Sequence, residues 1–200
     1  LQHVTAPTRV GVEPHPRFRT DHLPAGVTIE VCTSDDYFEH TTADTRFDVV
    51  FLDGLHTFDQ TYRDLINAFG LCPSGVVLID DVIPSDRFSA IADEDESNAQ
   101  RKRAGLNDNM WHGDVFKVVL CLDEHHPEIE FRTIVGSDNP QTVAWLRDAA
   151  VQPRPVDRAR LEMSRPAHNQ WRVDSSVVDP AFVARQGTAV VGEEKHHRVV

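Results

Sequence analysis

The feature that most constrains the fold is a strand–helix–strand pattern in the middle of the chain. Phe47–Asp53 and Gly75–Asp81 each contain an uninterrupted apolar run, as buried parallel strands do. The apolar residues between these runs recur at helical spacing: Phe58, Tyr62, Leu65, Ile66 and Phe69. Thr57 and Gln60 have the spacing of a capping box at the start of this helix. The segment therefore predicts a right-handed βαβ unit.

Other segments extend this pattern along the chain. Arg9–Glu13, Val27–Cys32, Val115–Leu122 and Ile129–Val135 are rich in β-branched and apolar residues and predict four more strands. A helix is expected to begin at Pro140. Together these elements predict an α/β fold, Rossmann-like, with an open and mostly parallel sheet and helices on both faces.

The 200 residues are expected to divide into one domain and an extension. Residues 1–150 form the predicted α/β domain. Within it, residues 84–113 are polar, and we interpret them as a partly helical, mobile insertion or lid. Residues 151–200 are rich in proline, arginine and polar residues and predict a partly helical or loosely ordered extension.

Composition excludes several classes of partner. The formal net charge is −12, which argues against binding to nucleic acid or to an anionic membrane surface. No apolar stretch approaches the roughly 20 residues of a membrane span. The three cysteines form no C-x-x-C pair, which indicates free thiols in a reducing compartment, and a cytoplasmic location is expected.

Acidic residues stand at the ends of the predicted strands. Glu13 ends the first strand, Asp53 ends the third, and Asp80 and Asp81 end the fourth. Because ligands of open α/β sheets bind at the carboxyl ends of the strands, these residues mark a candidate site. Carboxylate oxygens suit Mg²⁺ or Ca²⁺. The alternative is that Asp53 and Asp80 only cap loops or helices.

Four segments together resemble the class I S-adenosylmethionine-dependent methyltransferases. Phe47–Val82 is similar to the family core, with Asp-Gly-x-His after one strand and Asp-Asp after the next. Val10–Pro14, Ser34–Phe38 and Trp111–Lys117 resemble further family segments in the same order, so the resemblance covers about residues 8–136. It implies a methyltransferase that binds S-adenosylmethionine.

The resemblance also implies roles for individual residues. Glu13 corresponds to the acid that binds the ribose hydroxyls, and Ser34 and Asp35 lie in the segment near the adenine. Asp53 is expected to contribute to the same cofactor site.

Within the family, sugar O-methyltransferases of antibiotic pathways hold Mg²⁺ at positions matching Asp53, Asp80 and Asp81. These enzymes can carry an acidic residue where this chain has Leu55, so His56 is the nearest replacement as the catalytic base. A neutral histidine can remove a hydroxyl proton near physiological pH. The expected reaction is methyl transfer to a hydroxyl of a small-molecule or sugar acceptor.

One departure leaves alternatives open. The glycine-rich loop that follows the first strand of this family has no counterpart before Arg9, so we expect that loop and strand to lie upstream of Leu1. A non-catalytic methyltransferase-like domain that has lost the loop is the first alternative, and a metal-dependent nucleotide-sugar transferase is the second. The acceptor is the expected partner, and a homo-oligomer is an open possibility.

Overall fold

A computed structural model describes residues 4–135 and 139–157 of the chain. These residues form six strands and four helices. In chain order they are β1 (Arg9–Val12), β2 (Val27–Glu30), α1 (Ser34–His40), β3 (Val49–Leu52), α2 (Phe58–Leu71), β4 (Val76–Ile79), α3 (Glu94–Arg103), α4 (Phe116–His125), β5 (Ile129–Ile134) and β6 (Gln141–Leu146).

The strands form a pair and a four-stranded sheet. In the pair, β1 and β2 are parallel. The larger sheet has the order β3-β4-β6-β5, in which β3 and β4 are parallel and β6 is antiparallel to both of its neighbours. Because β6 reverses direction between them, β4 and β5 point the same way. Three of the four strands of the larger sheet therefore share one direction, and the predicted α/β, Rossmann-like fold is confirmed, with a sheet that contains both parallel and antiparallel pairs.

Two predicted elements are wrong. The segment predicted as the strand Val115–Leu122 forms α4 instead, because its apolar residues at positions 115, 118, 119 and 122 also have helical spacing. The helix expected from Pro140 is the strand β6. Its buried residues alternate, at Thr142, Ala144 and Leu146, which is the period of a strand.

The hydrophobic core joins the sheet to helices α2 and α4. Leu65 and Phe69 of α2, Val77 and Ile79 of β4 and Val118 of α4 are completely buried. Val10 of β1 packs against the same cluster. The core thus fixes the first turn of α2 beside the ends of β3 and β4.

The predicted insertion, residues 84–113, is partly helical, as expected. Its helix α3 carries Arg101, which is only 3% exposed and pairs with Asp86 and Asp108. Ser97 Oγ of the same helix donates a hydrogen bond to the carbonyl of Phe88 (2.8 Å). These contacts hold both ends of the insertion to α3, so its last residues reach the sheet edge in a defined position.

The expected extension begins with residues 151–157, which carry no helix or strand; residues 158–200 lie outside the described part. Pro153 is buried, and the backbone N–H of Val156 donates to Tyr62 Oη of α2 (2.9 Å). Within the described part of the chain, no helix is both long and apolar enough to cross a membrane.

Candidate functional site

The carboxyl ends of four strands meet at one edge of the fold. Leu52 pairs with Ile79, and the backbone N–H of Asp80 donates to the Leu52 carbonyl (3.0 Å), so Asp53 and Asp80 follow adjacent strand ends. The side chain of Gln60, in the first turn of α2, donates to Ser34 Oγ just after β2 (2.9 Å). This contact places the ends of β1 and β2 beside the ends of β3 and β4.

Asp53, His56 and Asp81 form the centre of the site. His56 Nε2 lies 3.3 Å from Asp53 Oδ1, and His56 Nδ1 lies 3.1 Å from Asp81 Oδ2. One ligand atom from each residue falls within 4.8 Å of the others, which is close enough to surround one cation. His56 and Asp81 both have a positive φ, 53° and 56°, a conformation that costs non-glycine residues energy and clusters at functional sites.

The protonation of these groups reflects their surroundings. The hydrogen bond to Asp53 raises the pKa of His56, and nearby Asp81 adds to this rise, while burial opposes it. Burial raises the pKa of Asp81. His56 Nδ1 is buried without a hydrogen bond, because its short contact with Asp81 is not in hydrogen-bonding geometry. The imidazole therefore lies between two carboxylates.

Asp80 lies outside this central cluster. Its Oδ1 accepts hydrogen bonds from the side-chain amides of Asn139 (2.9 Å) and Gln141 (3.2 Å). The Asn139 amide also lies 3.4 Å from Asp81 Oδ1 and so links the two aspartates. Of the three aspartates expected to bind Mg²⁺, two therefore converge on His56 and the third is held by amides of the β5–β6 region.

The end of the insertion covers His56. The Trp111 ring stacks on the imidazole, with centroids 5.1 Å apart and planes at 14°. His112 is buried, its Nε2 lies 3.9 Å from Asp81 Oδ1, and its Nδ1 has no hydrogen-bond partner. Burial lowers the pKa of His112 and so favours its neutral form. Nothing in the sequence analysis indicated that these two residues contact His56 and Asp81.

Asp114 holds the loop that carries His56. Asp114 N–H donates to the His56 carbonyl (3.2 Å), and Asp114 Oδ1 accepts from the Phe58 N–H (2.6 Å). The predicted capping box is wrong, because the Thr57 side chain makes no capping hydrogen bond. Asp114 caps α2 instead, and its other oxygen pairs with Lys117 at 2.6 Å.

The residues expected to bind the cofactor lie at the ends of β1 and β2. Glu13 N–H donates to the Glu30 carbonyl (3.0 Å), and its Oε1 accepts from the His15 N–H (2.8 Å). Asp35 is half exposed and holds Arg63 through both carboxylate oxygens. Ser34 is tied to Gln60.

Sequence reasoning missed Gln60 and Asp64 as residues of this site. Both are buried polar residues of α2, and Gln60 Nε2 donates to Asp64 Oδ1 at 2.9 Å. The available signal was two polar residues four apart that interrupt the apolar side of an amphipathic helix.

The first part of the chain is similar to a known protein family. Residues 2–82, about two fifths of the chain, match the model of a family described as a methyltransferase domain. The search of curated proteins found no match. The match supports methyltransferase activity of the class I kind, for which the family implies S-adenosylmethionine as methyl donor. It includes every predicted site residue and ends before Trp111–Asp114.

Proposed function

We propose that this chain is an S-adenosylmethionine-dependent methyltransferase that methylates a hydroxyl group of a small-molecule or sugar acceptor with the assistance of Mg²⁺. The observation that carries the proposal is the convergence of Asp53, His56 and Asp81 at the same sheet edge as Glu13 and Ser34. The site for the methyl donor and the site that accepts the proton of the acceptor hydroxyl would then lie side by side.

The oxygen ligands at this site are of the kind that binds a divalent cation. Asp53 and Asp81 supply carboxylate oxygens within reach of one ion, and Asp80 can support them through the oxygen that does not accept from the two amides. The buried and unpartnered Nδ1 of His56 shows that the cluster lacks a complete set of internal hydrogen bonds. A bound Mg²⁺ supplies a Lewis acid that lowers the pKa of a coordinated hydroxyl.

The chain's own residues would perform the remaining steps. When bound, S-adenosylmethionine supplies a methyl group on a positively charged sulfur. Glu13 would accept hydrogen bonds from its ribose hydroxyls, with Ser34 and Asp35 near the adenine and Asp53 between the donor and acceptor sites. His56 would take the proton of the acceptor hydroxyl as the oxygen gains the methyl group. Trp111 limits rotation of the imidazole and shields one of its faces from water.

Calorimetric titration of the full-length protein with S-adenosylmethionine, with and without Mg²⁺, tests the two halves of the proposal separately. Binding of the donor supports the enzyme, and its absence favours a non-catalytic methyltransferase-like domain. A nucleotide-sugar transferase would instead bind a nucleoside diphosphate. Full activity in the presence of a chelator would contradict the assignment of the metal.

Two substitutions test the metal ligands and the catalytic base independently. Asp81→Asn should weaken Mg²⁺ binding and abolish transfer, because Asp81 is in the group whose oxygens can surround one ion. His56→Ala should retain donor binding and lower the rate roughly 10²- to 10⁴-fold, the usual contribution of a positioned base. The matched control is Asp123→Asn, which changes an exposed carboxylate of α4 and should leave both properties unchanged. An unchanged rate in His56→Ala would exclude it as the base.

A further inference from the structure

Helix α2 contains a buried carboxylate that the proposed mechanism does not use. Asp64 is only 5% exposed in the middle of the helix. Its Oδ1 accepts from Gln60 Nε2 at 2.9 Å, and its Oδ2 faces Gly54 in the loop after β3. Arg63, its nearest cationic neighbour in sequence, pairs with Asp35 instead. An apolar side chain of similar size would avoid the cost of burying this charge, so packing alone does not explain an aspartate here.

Gln60 joins Asp64 to Ser34. Its Nε2 donates to both Asp64 Oδ1 and Ser34 Oγ, each at 2.9 Å. Because a carboxylate only accepts, Gln60 must direct its amide nitrogen toward Asp64, which fixes the orientation of the amide that holds Ser34.

The same amide of Gln60 also orients the neighbouring Asp35 through Arg63. Gln60 Oε1 accepts from Arg63 Nη2 at 2.6 Å, since its amide nitrogen is directed at Asp64. Arg63 then holds Asp35 through Nε (3.2 Å) and Nη2 (2.9 Å). Two successive residues after β2 are therefore fixed by side chains of α2, and the orientation of both depends on the carboxylate of Asp64.

Burial raises the pKa of Asp64, whereas the hydrogen bond from Gln60 opposes the rise. Networks of this kind specify one arrangement of the groups they connect, and they lose that arrangement when one member changes.

We propose that Asp64 is a positioning residue that, through Gln60, fixes Ser34 and Asp35 for binding the adenine end of the methyl donor. This inference rests on the proposed function. It adds α2 to the donor site and connects the loop after β2 with the loop that carries Asp53.

The test is Asp64→Asn in the full-length protein. Asparagine has the same shape but carries no negative charge, so the charge-assisted hydrogen bond that Asp64 accepts from Gln60 becomes a weaker neutral one. We expect the affinity for S-adenosylhomocysteine to fall about tenfold, the effect of roughly one hydrogen bond. The affinity for 5′-methylthioadenosine, which contains the adenine but no amino acid, should fall by the same factor. The melting temperature and Mg²⁺ binding should stay as in the unsubstituted protein, and Asp123→Asn is the charge-matched control.

A double-mutant cycle with Ser34→Ala distinguishes positioning from a general loss of structure. If Asp64 acts through Ser34 and Asp35, the loss of affinity for S-adenosylhomocysteine in the double variant should be smaller than the sum of the two single losses. Additive losses, or an unchanged affinity in Asp64→Asn, would overturn the inference even if that variant melts earlier. Failure of the unsubstituted protein to bind S-adenosylhomocysteine would instead remove the proposed function on which the inference rests.

Discussion

Gly113 determines how closely the end of the insertion approaches the loop of His56. It has a φ of +62°, and a Cβ built on it would lie 1.6 Å from the His56 carbonyl oxygen and 2.7 Å from the carbonyl carbon. Real Cβ contacts essentially never fall below 3.0 Å. Since the obstacle is backbone, Gly113→Ala cannot be accommodated by a change of rotamer, and the two segments must separate.

The expected destabilisation has three contributions. The left-handed conformation costs alanine about 1 kcal/mol. Separation breaks the hydrogen bond from Asp114 N–H to the His56 carbonyl, a loss of about 1 kcal/mol. It also disturbs the cap that Asp114 Oδ1 provides to Phe58 N–H, which contributes about 1 kcal/mol more. We therefore expect Gly113→Ala to lower the free energy of unfolding by about 3 kcal/mol.

Gly105→Ala is the matched control. Gly105 also has a positive φ, +80°, but a Cβ there would meet nothing within 4 Å. It should show only the conformational cost, about 1 kcal/mol. Urea denaturation of both variants measures the difference, expected at about 2 kcal/mol. Equal destabilisation by the two substitutions would refute the close approach of Gly113 to His56 and, with it, the docking of the insertion on the site.

Two further predictions concern the insertion and the core. Arg101→Met should lower the free energy of unfolding by about 2 kcal/mol at neutral pH, because it leaves the half-buried carboxylate of Asp86 without its cation. Burial alone would raise the pKa of Asp86, but its hydrogen bonds from the backbone and from Arg101 lower this pKa overall, so the stability that the ionised Asp86 contributes is present at neutral pH and is lost as the pH falls below 3.8. Urea titrations of both proteins over the acidic range should therefore show that Arg101→Met loses less of its free energy of unfolding than the unsubstituted protein does. Parallel curves would contradict this. Burial raises the pKa of Cys72 and Cys121 to about 12. A thiol reagent should therefore react only with the partly exposed Cys32 in the folded protein, and with all three thiols in denaturant. More than one reactive thiol before unfolding would contradict the described burial.

The sheet edge was predictable because its signals are local. Runs such as Val49–Leu52 and Val76–Ile79 are apolar, bounded by acidic residues and separated by a helix of clear periodicity. Parallel pairing then requires Asp53 and Asp80 to follow neighbouring strand ends. No feature within either segment indicated that Asp81 would turn toward His56 while Asp80 would contact Asn139 and Gln141.

The errors arose where one pattern permits two structures. A segment of eight residues in which all but Lys117 are apolar can form a buried strand or one side of a buried helix, and this segment forms the helix α4. Around β6, Pro140 suggested a helix start, but the β-branched and aromatic residues that follow pair with both β4 and β5. Contacts with the rest of the fold decided both cases: α4 packs in the core as a helix, and β6 pairs with two strands.

The centre of the site depends on contacts between segments far apart in sequence, which explains why its residues were identified more readily than their arrangement. His56 has a positive φ without being glycine, and nothing in its immediate sequence provides the stabilisation that such a conformation requires. That stabilisation comes from the segment after the insertion: the stacked ring of Trp111, the close approach of Gly113 and the hydrogen bonds of Asp114. The insertion is therefore part of the site, because the same contacts that orient the imidazole between the two carboxylates also cap helix α2.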